Sequence, residues 1–318
     1  MLTPNLFGIC FGLAALAGTW HQAAALGSAP AVVGDAVLAL AAAVWLVLLI
    51  GYPAQVARRP GGWRAEFHDR GLGPFVSLAP ITGMLLAVGL HRHAPGAADW
   101  LFGVCAAATA VAALALTGQW QYGELEPDTF HPGYLLPTVA GGLVAAQGLA
   151  ELGWPGPAAA AFGVGAVSWV LLAPPLLARM LFRPPLHPML FPTTAIEAAP
   201  PAVAGSAYLV MTGGRFDVLS WSLLGCTVLA VLVQARMFGA YRAAPFGPPW
   251  WSVTFTSSAV AGLALRWLFG FRPAGFREYS YLVLAAASLL VGAVAAATVV
   301  ALCRGSFLMR PAEAATGV

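Results

Sequence analysis

The chain has 318 residues, of which 60% are hydrophobic and only 8% are charged, and its formal net charge is +3. Soluble domains carry about 25% charged residues, so this composition and a mean hydropathy of +0.80 exclude an ordinary soluble protein. We therefore predict an all-α integral membrane protein with one transmembrane domain over residues 1–318. No nucleic-acid partner is expected, and the surrounding lipids are expected partners.

Ten apolar segments, separated by charged or Pro/Gly-rich breaks, are candidate membrane-spanning helices. A spanning helix needs about 20 mainly apolar residues. The segments are predicted at about 5–26, 31–56, 72–91, 97–120, 133–152, 157–181, 193–212, 217–241, 250–270 and 278–303. Four cysteines fall inside these helices without metal-ligand spacing, which predicts buried thiols: Cys10, Cys105, Cys226 and Cys303.

Helix-breaking residues concentrate in the odd-numbered segments. The first segment is interrupted by Gly8 and Gly12, and the third, fifth and seventh contain Pro80, Pro137 and Pro200. The breaks recur about every 60 residues, as expected for a repeated hairpin of one broken and one plain helix. Broken membrane helices are tolerated where protein or a water-filled cavity satisfies the backbone. We expect the odd helices to surround a pathway and the even ones to face lipid; the simpler alternative is that Pro and Gly are common in all membrane helices.

Glu197 is a charged residue inside the seventh segment, three positions before Pro200. Intramembrane carboxylates are costly and often functional, so Glu197 is a candidate protonatable group beside the pathway. In the alternative interpretation, Glu197 is a carboxylate near the helix end that hydrogen-bonds the backbone or pairs with an arginine. The residues alone favour this alternative.

The ninth segment opens with "WWSVTFTSS" (residues 250–258). Trp250 and Trp251 are typical of membrane-interface anchors. Thr256 and Ser257 give the helix polarity that lipid does not require, which indicates a water-facing side. Phe255 can therefore be interpreted in two ways. Its side chain could close a pore sterically and by dewetting, or it could be an ordinary packing residue between helices.

The arginines are distributed unevenly between the two sides. If the N-terminus lies on side one, ten flank that side: Arg58, Arg59, Arg64, Arg70, Arg179, Arg183, Arg236, Arg242, Arg304 and Arg310. Five flank the other: Arg92, Arg215, Arg266, Arg272 and Arg277. The positive-inside rule then predicts cytoplasmic termini, with the acidic turn of Glu124, Glu126 and Asp128 on the same side.

The residues give little support for an enzyme, a metal or a cofactor. The histidines, among them His21, His68 and His131, have no metal or haem spacing, and the chain has no P-loop, dinucleotide fingerprint or GxSxG. An intramembrane enzyme or redox protein needs paired ionisable groups that the sequence does not show.

Several stretches resemble the tellurite-resistance/dicarboxylate transporter family, which also includes the plant slow-type anion channels. They are "FGICFGLAAL" at 7–16, "WRAEFHDRGLGPFVSLAPITGMLL" at 63–86, "FHPGYLLPTVAG" at 130–141, "APPAVAGSAYL" at 199–209 and "WWSVTFTSSA" at 250–259. They span the chain in the order found in that family.

The resemblance implies ten helices arranged as five hairpins with quasi-fivefold symmetry around a central pore, and a homotrimer in the bacterial inner membrane. It implies a gate at Phe255 and pore-helix kinks at Pro80, Pro137 and Pro200. The implied permeants are small anions such as chloride, nitrate or malate. A proton-coupled dicarboxylate carrier, supported by Glu197 and the histidines, and a tellurite-resistance permease remain the alternatives.

Overall fold

The computed structural model describes residues 1–123 and 125–308, and these residues form helices and turns without a strand. Glu124 and Arg310, used in the charge argument above, lie outside the described residues. Nine helices in the described part are long and apolar enough to cross a membrane. The prediction of an all-helical, multi-pass membrane protein is confirmed.

The nine spanning helices and a shorter one are numbered α1–α10 in chain order. They are α1 (Pro4–Ala25), α2 (Ala31–Val56), α3 (Gly73–His91), α4 (Pro95–Trp120), α5 (Pro132–Glu151), α6 (Pro155–Phe182), α7 (Ala199–Met211), α8 (Val218–Arg236), α9 (Pro248–Phe271) and α10 (Phe276–Cys303). A 3₁₀ segment, Phe191–Ala198, leads into α7, which by itself is too short to span a bilayer. Two short helices, Gly62–His68 and Phe238–Ala243, lie in the connections.

Each odd-numbered helix has a proline in its first turn or, for α7, in the 3₁₀ segment that precedes it. These prolines are Pro4, Pro74, Pro132, Pro192 and Pro248. Proline fits there because its missing N–H would have no partner inside the helix. In every case a tightly wound 3₁₀ turn follows or includes the proline before regular α-helix begins. The odd helices therefore share one way of starting, which the sequence analysis above did not identify.

The odd helices pack in a closed order. α1 contacts α3, α3 contacts α5, α5 contacts α7, α7 contacts α9, and α9 returns to α1. Each odd helix also contacts the even helix that follows it in the chain. We call the surface on which the odd helices begin the N face, because Met1 lies there, and the surface on which they end the far face.

Burial separates the two sets of helices. Between 50% and 72% of the most apolar stretch is buried in α1, α3, α5 and α9, against 11% to 28% in the even-numbered helices. Two of the cysteines illustrate the difference. Cys10 and Cys105 are buried, whereas Cys226 on α8 and Cys303 on α10 are exposed, so the prediction of four buried thiols was wrong for the second pair. Those thiols lie on helices whose outer faces point away from the protein interior.

Candidate pore

A small apolar cavity lies inside the odd helices towards the N face. Its volume is about 40 Å³. All of its lining residues come from odd helices or the 3₁₀ segment before α7: Asn5, Gly8, Phe11, Phe75, Leu78, Leu135, Leu136, Val139, Ala140, Leu143, Ile196, Ala199, Pro200, Val203, Pro248, Pro249, Trp251, Ser252 and Phe255. Asn5 and Ser252 are the polar side chains of this narrow cavity, which is otherwise hydrocarbon.

A larger cavity of about 420 Å³ lies towards the far face. Its lining is more polar and includes Thr19, His21, Gln22, Arg92, Gln147, Glu151, Ser206, Ser258 and Arg266. Among the described residues, Leu38 on α2 is the one contribution from an even helix. The two arginines of this wide cavity are each paired with a carboxylate, Arg92 with Asp35 at 3.7 Å and Arg266 with Glu151 at 2.9 Å.

Phe255 lies where the two cavities meet. Phe255 and Val203 are the residues that line both cavities. The Phe255 side chain is only 7% exposed, and its ring stacks on Phe11 with centroids 3.8 Å apart and planes 12° apart. An aromatic pair therefore separates the apolar cavity from the polar one.

The residues on either side of Phe255 explain why its ring faces inwards. Successive residues of an α-helix are about 100° apart around its axis. Thr254 packs against α1 at Gly12, and the Thr256 hydroxyl donates a 3.0 Å hydrogen bond to the Ala195 carbonyl in front of α7. Since α1 and α7 are the two odd neighbours of α9, Phe255 falls on the face between them, towards the centre.

Gly8 and Gly12 allow α1 to approach α9 closely. A Cβ on Gly12 would overlap the Thr254 side chain, and one on Gly8 would lie 3.2 Å from the Trp251 Cβ. Gly8 also lines the narrow cavity, whereas Gly12 lies at the helix contact and lines neither cavity. The two glycines thus set the distance between Phe11 and Phe255.

The three hydroxyl residues after Phe255 have different surroundings. Thr256 is buried, and it lines neither cavity. The Ser257 hydroxyl donates to the Thr254 carbonyl at 3.0 Å, and its position about 200° from Phe255 turns it away from the centre. Ser258 does line the wide cavity, and its carbonyl accepts a hydrogen bond from Thr19 on α1.

The two tryptophans of α9 differ from each other. Trp251 is 2% exposed, and its indole N–H donates to Thr298 on α10 at 3.0 Å. The expectation of an interface anchor is therefore wrong for Trp251, which packs in the interior. Trp250 is half-buried, and its N–H donates to the Pro245 carbonyl.

The three predicted kink prolines lie where the winding of their helices changes. Pro80 is the third residue of the regular α-helix that follows the 3₁₀ turn Gly73–Ser77. Pro137 lies in a π-helical turn, Leu136–Ala140. Pro200 is the second residue of α7, after the 3₁₀ segment, and it lines the narrow cavity. Pro80 and Pro200 thus lie in the first turn of regular α-helix, where a missing N–H leaves few acceptors unpaired, whereas Pro137 lies where the winding of α5 is locally wider.

Glu197 lies in the 3₁₀ segment before α7. Its Oε1 atom is buried without a hydrogen-bond partner among the described residues, and Glu197 lines neither cavity. Tyr241, which bonds Thr194 and Gln234, is close to it. Burial raises the pKa of the Tyr241 phenol to about 12, and the Glu197 carboxylate adds to the rise. The arginine partner anticipated for Glu197 is absent from the described part of the chain.

His131 has a structural position in front of α5. Its Nε2 donates to the Gly71 carbonyl at 3.0 Å, and its Nδ1 accepts from the Gly133 N–H at 3.1 Å. Burial lowers the pKa of His131 to about 4. The ring joins the start of α5 to the start of α3. Within residues 1–123 and 125–308, no group of three or more His, Cys, Asp or Glu side chains is placed to hold a metal ion.

A closed order of contacts among the odd helices, around two cavities in an all-helical membrane protein, is typical of a membrane channel or transporter. The chain belongs to the voltage-dependent anion channel family, SLAC1, whose profile matches residues 1–299. It is also similar to the tellurite resistance protein TehA homolog of Haemophilus influenzae, with 28% identity over 310 residues, covering 97% of this chain and 93% of that protein. The resemblance read from the sequence motifs is confirmed.

Proposed function

We propose that this protein conducts small anions through the two cavities and that Phe255 is the gate between them. The observation that carries this proposal is the position of Phe255, which lines both cavities while its ring stacks on Phe11. Narrow apolar constrictions stop ions by excluding their water. Opening then requires a different Phe255 rotamer or a shift of α9 relative to α1.

Two features support anions as the permeants, with chloride, nitrate and dicarboxylates such as malate as candidates. The lining of the wide cavity includes the guanidinium groups of Arg92 and Arg266, which can donate hydrogen bonds to an anion, although the carboxylates of Asp35 and Glu151 offset their charge. The odd helices all start at the N face, so the positive ends of their dipoles surround the narrow cavity. Both features favour an anion over a cation in the pathway, although neither places a fixed charge deep inside it.

For the arrangement as a whole, we propose five hairpins with quasi-fivefold symmetry. The closed contact order of the odd helices and the exposure of the even helices support it. The segment 191–211 would then be the tenth membrane crossing, with its first turns in 3₁₀ form. The homotrimer implied by the family resemblance would place exposed apolar faces of even helices against neighbouring protomers and lipid.

We propose the bacterial inner membrane as the location, with the N face in the cytoplasm. The connections on that face carry most of the described arginines, nine against five on the far face. Arginine-rich short loops remain on the cytoplasmic side. The wide, polar cavity would then open to the outside.

The test is an anion-substitution series of currents from the wild type and Phe255→Ala in oocytes or planar bilayers. We expect little wild-type current and a large increase, on the order of tenfold or more, in the variant, carried by chloride and nitrate. Phe7→Ala is the matched control, because Phe7 is a buried phenylalanine of α1 that lines neither cavity. A Phe255→Ala variant that reaches the membrane and conducts no better than wild type contradicts the gate.

A proton-coupled dicarboxylate carrier or tellurite-resistance permease is the second candidate. The unpartnered buried Oε1 of Glu197 favours it, because a carboxyl group that exchanges a proton needs no fixed partner. Saturable exchange of malate in liposomes, without channel-sized unitary currents, would support the carrier. Unchanged pH dependence of flux in Glu197→Gln would exclude Glu197 as its proton site.

A further inference from the structure

A cluster of two histidines, an aspartate and an arginine lies at the far-face end of the wide cavity. The Asp35 Oδ1 atom accepts hydrogen bonds from Nε2 of His21 and from Nε2 of His93, each at 3.0 Å. The Arg92 Nη1 atom lies 3.7 Å from the same oxygen. His21 and Arg92 line the wide cavity, so the cluster borders the space through which the proposed permeant passes.

The cluster is built into the helix packing. His21 lies on α1 and its side chain is 14% exposed. Its ring rests directly on Gly34 of α2, where an added Cβ would collide with the imidazole. Asp35, the next residue, is thereby presented to His21. His93, at 53% exposure, follows α3 and reaches the same oxygen from the solvent side.

The other charged groups around this end of the cavity are already paired. Glu151 of α5 and Arg266 of α9 form an ion pair at 2.9 Å in the wall of the wide cavity. His91 lies 3.3 Å from Asp99 at the start of α4. α10, which also packs on α1, contributes Ser288 as the acceptor for Trp20. Within the part of the chain that the structure describes, Asp35 is therefore the carboxylate paired with His21, His93 and Arg92.

We propose that this cluster makes the wide cavity an anion-binding site whose affinity rises with acidity. Both histidines use Nε2 toward Asp35, so an added proton goes to Nδ1, which points away from Asp35 on the imidazole ring. Neither Nδ1 atom has a hydrogen-bond partner among the described residues. Protonation therefore adds positive charge and a free N–H donor beside Arg92, at a place where a small anion can lie.

The sign of the pH effect follows from the charges. With both histidines neutral, Asp35 offsets Arg92 and the cluster has no net charge. Histidine is the side chain whose charge ordinarily changes near neutral pH, so each proton that the cluster binds adds one positive charge to the mouth. At an effective dielectric between that of a protein surface and that of bulk water, an additional unit charge within several ångströms strengthens anion binding by about tenfold or more.

The proposal rests on the proposed function for its ligand, but a binding measurement tests it without current. Nitrate is a suitable anion because its own charge is constant over this pH range. Nitrate bound to the folded protein raises the melting temperature, so the nitrate concentration at half-maximal stabilisation reports affinity. For purified wild type, we expect this concentration to fall roughly tenfold between pH 8 and pH 5.5.

His21→Gln/His93→Gln should reduce that pH effect to less than about twofold. Asp35→Asn should bind nitrate more tightly than wild type already at pH 8, because Arg92 loses its offsetting charge. His68→Gln, an exposed histidine on the N face, is the matched control and should retain the wild-type shift. A double-histidine variant with the full shift, or an Asp35→Asn variant no tighter at pH 8, overturns the proposal.

Measuring the same variants in the Phe255→Ala background tests the anion site of the cluster independently of the gate at Phe255. If Phe255→Ala conducts, its half-saturating nitrate concentration should fall with acidification of the far-face side only, and the histidine substitutions should remove that fall. If Phe255→Ala carries no current, the gate fails, and the melting experiment still decides whether the cluster binds anions in a proton-linked way.

Discussion

Phe11 of α1 and Phe255 of α9 lie nearly parallel, with their ring centroids 3.8 Å apart. Phe255 is thus held by a second aromatic ring as well as by its own helix. Stacked aromatic pairs contribute about 0.5–1.5 kcal/mol beyond the area they bury. That free energy favours the closed rotamer of the proposed gate.

The first prediction concerns Phe11→Leu. The substitution keeps an apolar side chain of similar bulk but removes the ring stack, so we expect anion current to rise about fivefold, the equivalent of roughly 1 kcal/mol. In the Phe255→Ala background, the same substitution should add almost nothing, because the partner ring is already absent. Currents of the four variants at matched surface expression measure this coupling. Equal increases in both backgrounds would show that Phe11 acts independently of Phe255.

Second, Gly12→Ala should destabilise the protein, while Gly18→Ala on the same helix should not. The new methyl group at position 12 meets the Thr254 side chain, whereas position 18 has nothing within 4 Å. Overpacking of this kind costs about 1–3 kcal/mol, which thermal unfolding in detergent would detect. Thr254→Ala in the Gly12→Ala background should restore part of the loss, since the nearest atom is the threonine hydroxyl. Equal melting temperatures for the two single alanine variants would contradict the close contact of α1 and α9.

The membrane class and the family could be read from the sequence, because both depend on composition and on local motifs. The second segment was predicted at 31–56, and α2 runs over Ala31–Val56. The polarity after Phe255 is also visible in the sequence, but the partners of these hydroxyl groups are not. Thr256 bonds the carbonyl of Ala195, 61 residues away, and only the packing of α9 against α7 brings that partner within reach.

The Phe11–Phe255 stack could not be predicted for a related reason. It depends on how α1 and α9 are rotated, and the contact of Gly12 with Thr254 sets that rotation. The His21–Asp35–His93 cluster likewise combines three separate segments. By contrast, the prolines that begin the odd helices recur along the sequence at Pro4, Pro74, Pro132, Pro192 and Pro248, and such a repeat is readable without a structure.

Third, Thr256→Val should lower stability by about 1 kcal/mol, the usual net value of one buried hydrogen bond. Valine has nearly the shape of threonine, so the loss reports the hydrogen bonding of the Thr256 hydroxyl, which the Ala195 carbonyl shares with the Ser252 carbonyl of the same helix. Ser257→Ala is the control, because its hydroxyl bonds only the backbone of its own helix. Thermal unfolding of both variants in detergent measures the difference. If Ser257→Ala proves as costly as Thr256→Val, the bond between α9 and the segment before α7 is not what stabilises this region.

The last prediction is a loss of stability in acid that depends on His131. Burial lowers the pKa of His131 to about 4, below the ordinary histidine value of about 6.5. The unfolded chain therefore binds a proton before the folded protein does, and stability present above about pH 6.5 falls as the pH drops towards 4. The shift corresponds to roughly 3 kcal/mol, which should appear as a lower melting temperature of wild type at pH 4.5 than at pH 7.5.

His131→Asn, whose side-chain oxygen can still accept from the Gly133 N–H, should be less stable than wild type at pH 7.5 but much less sensitive to acid. His68→Gln should keep the wild-type dependence, and an acid sensitivity that survives in His131→Asn would place its origin elsewhere in the protein.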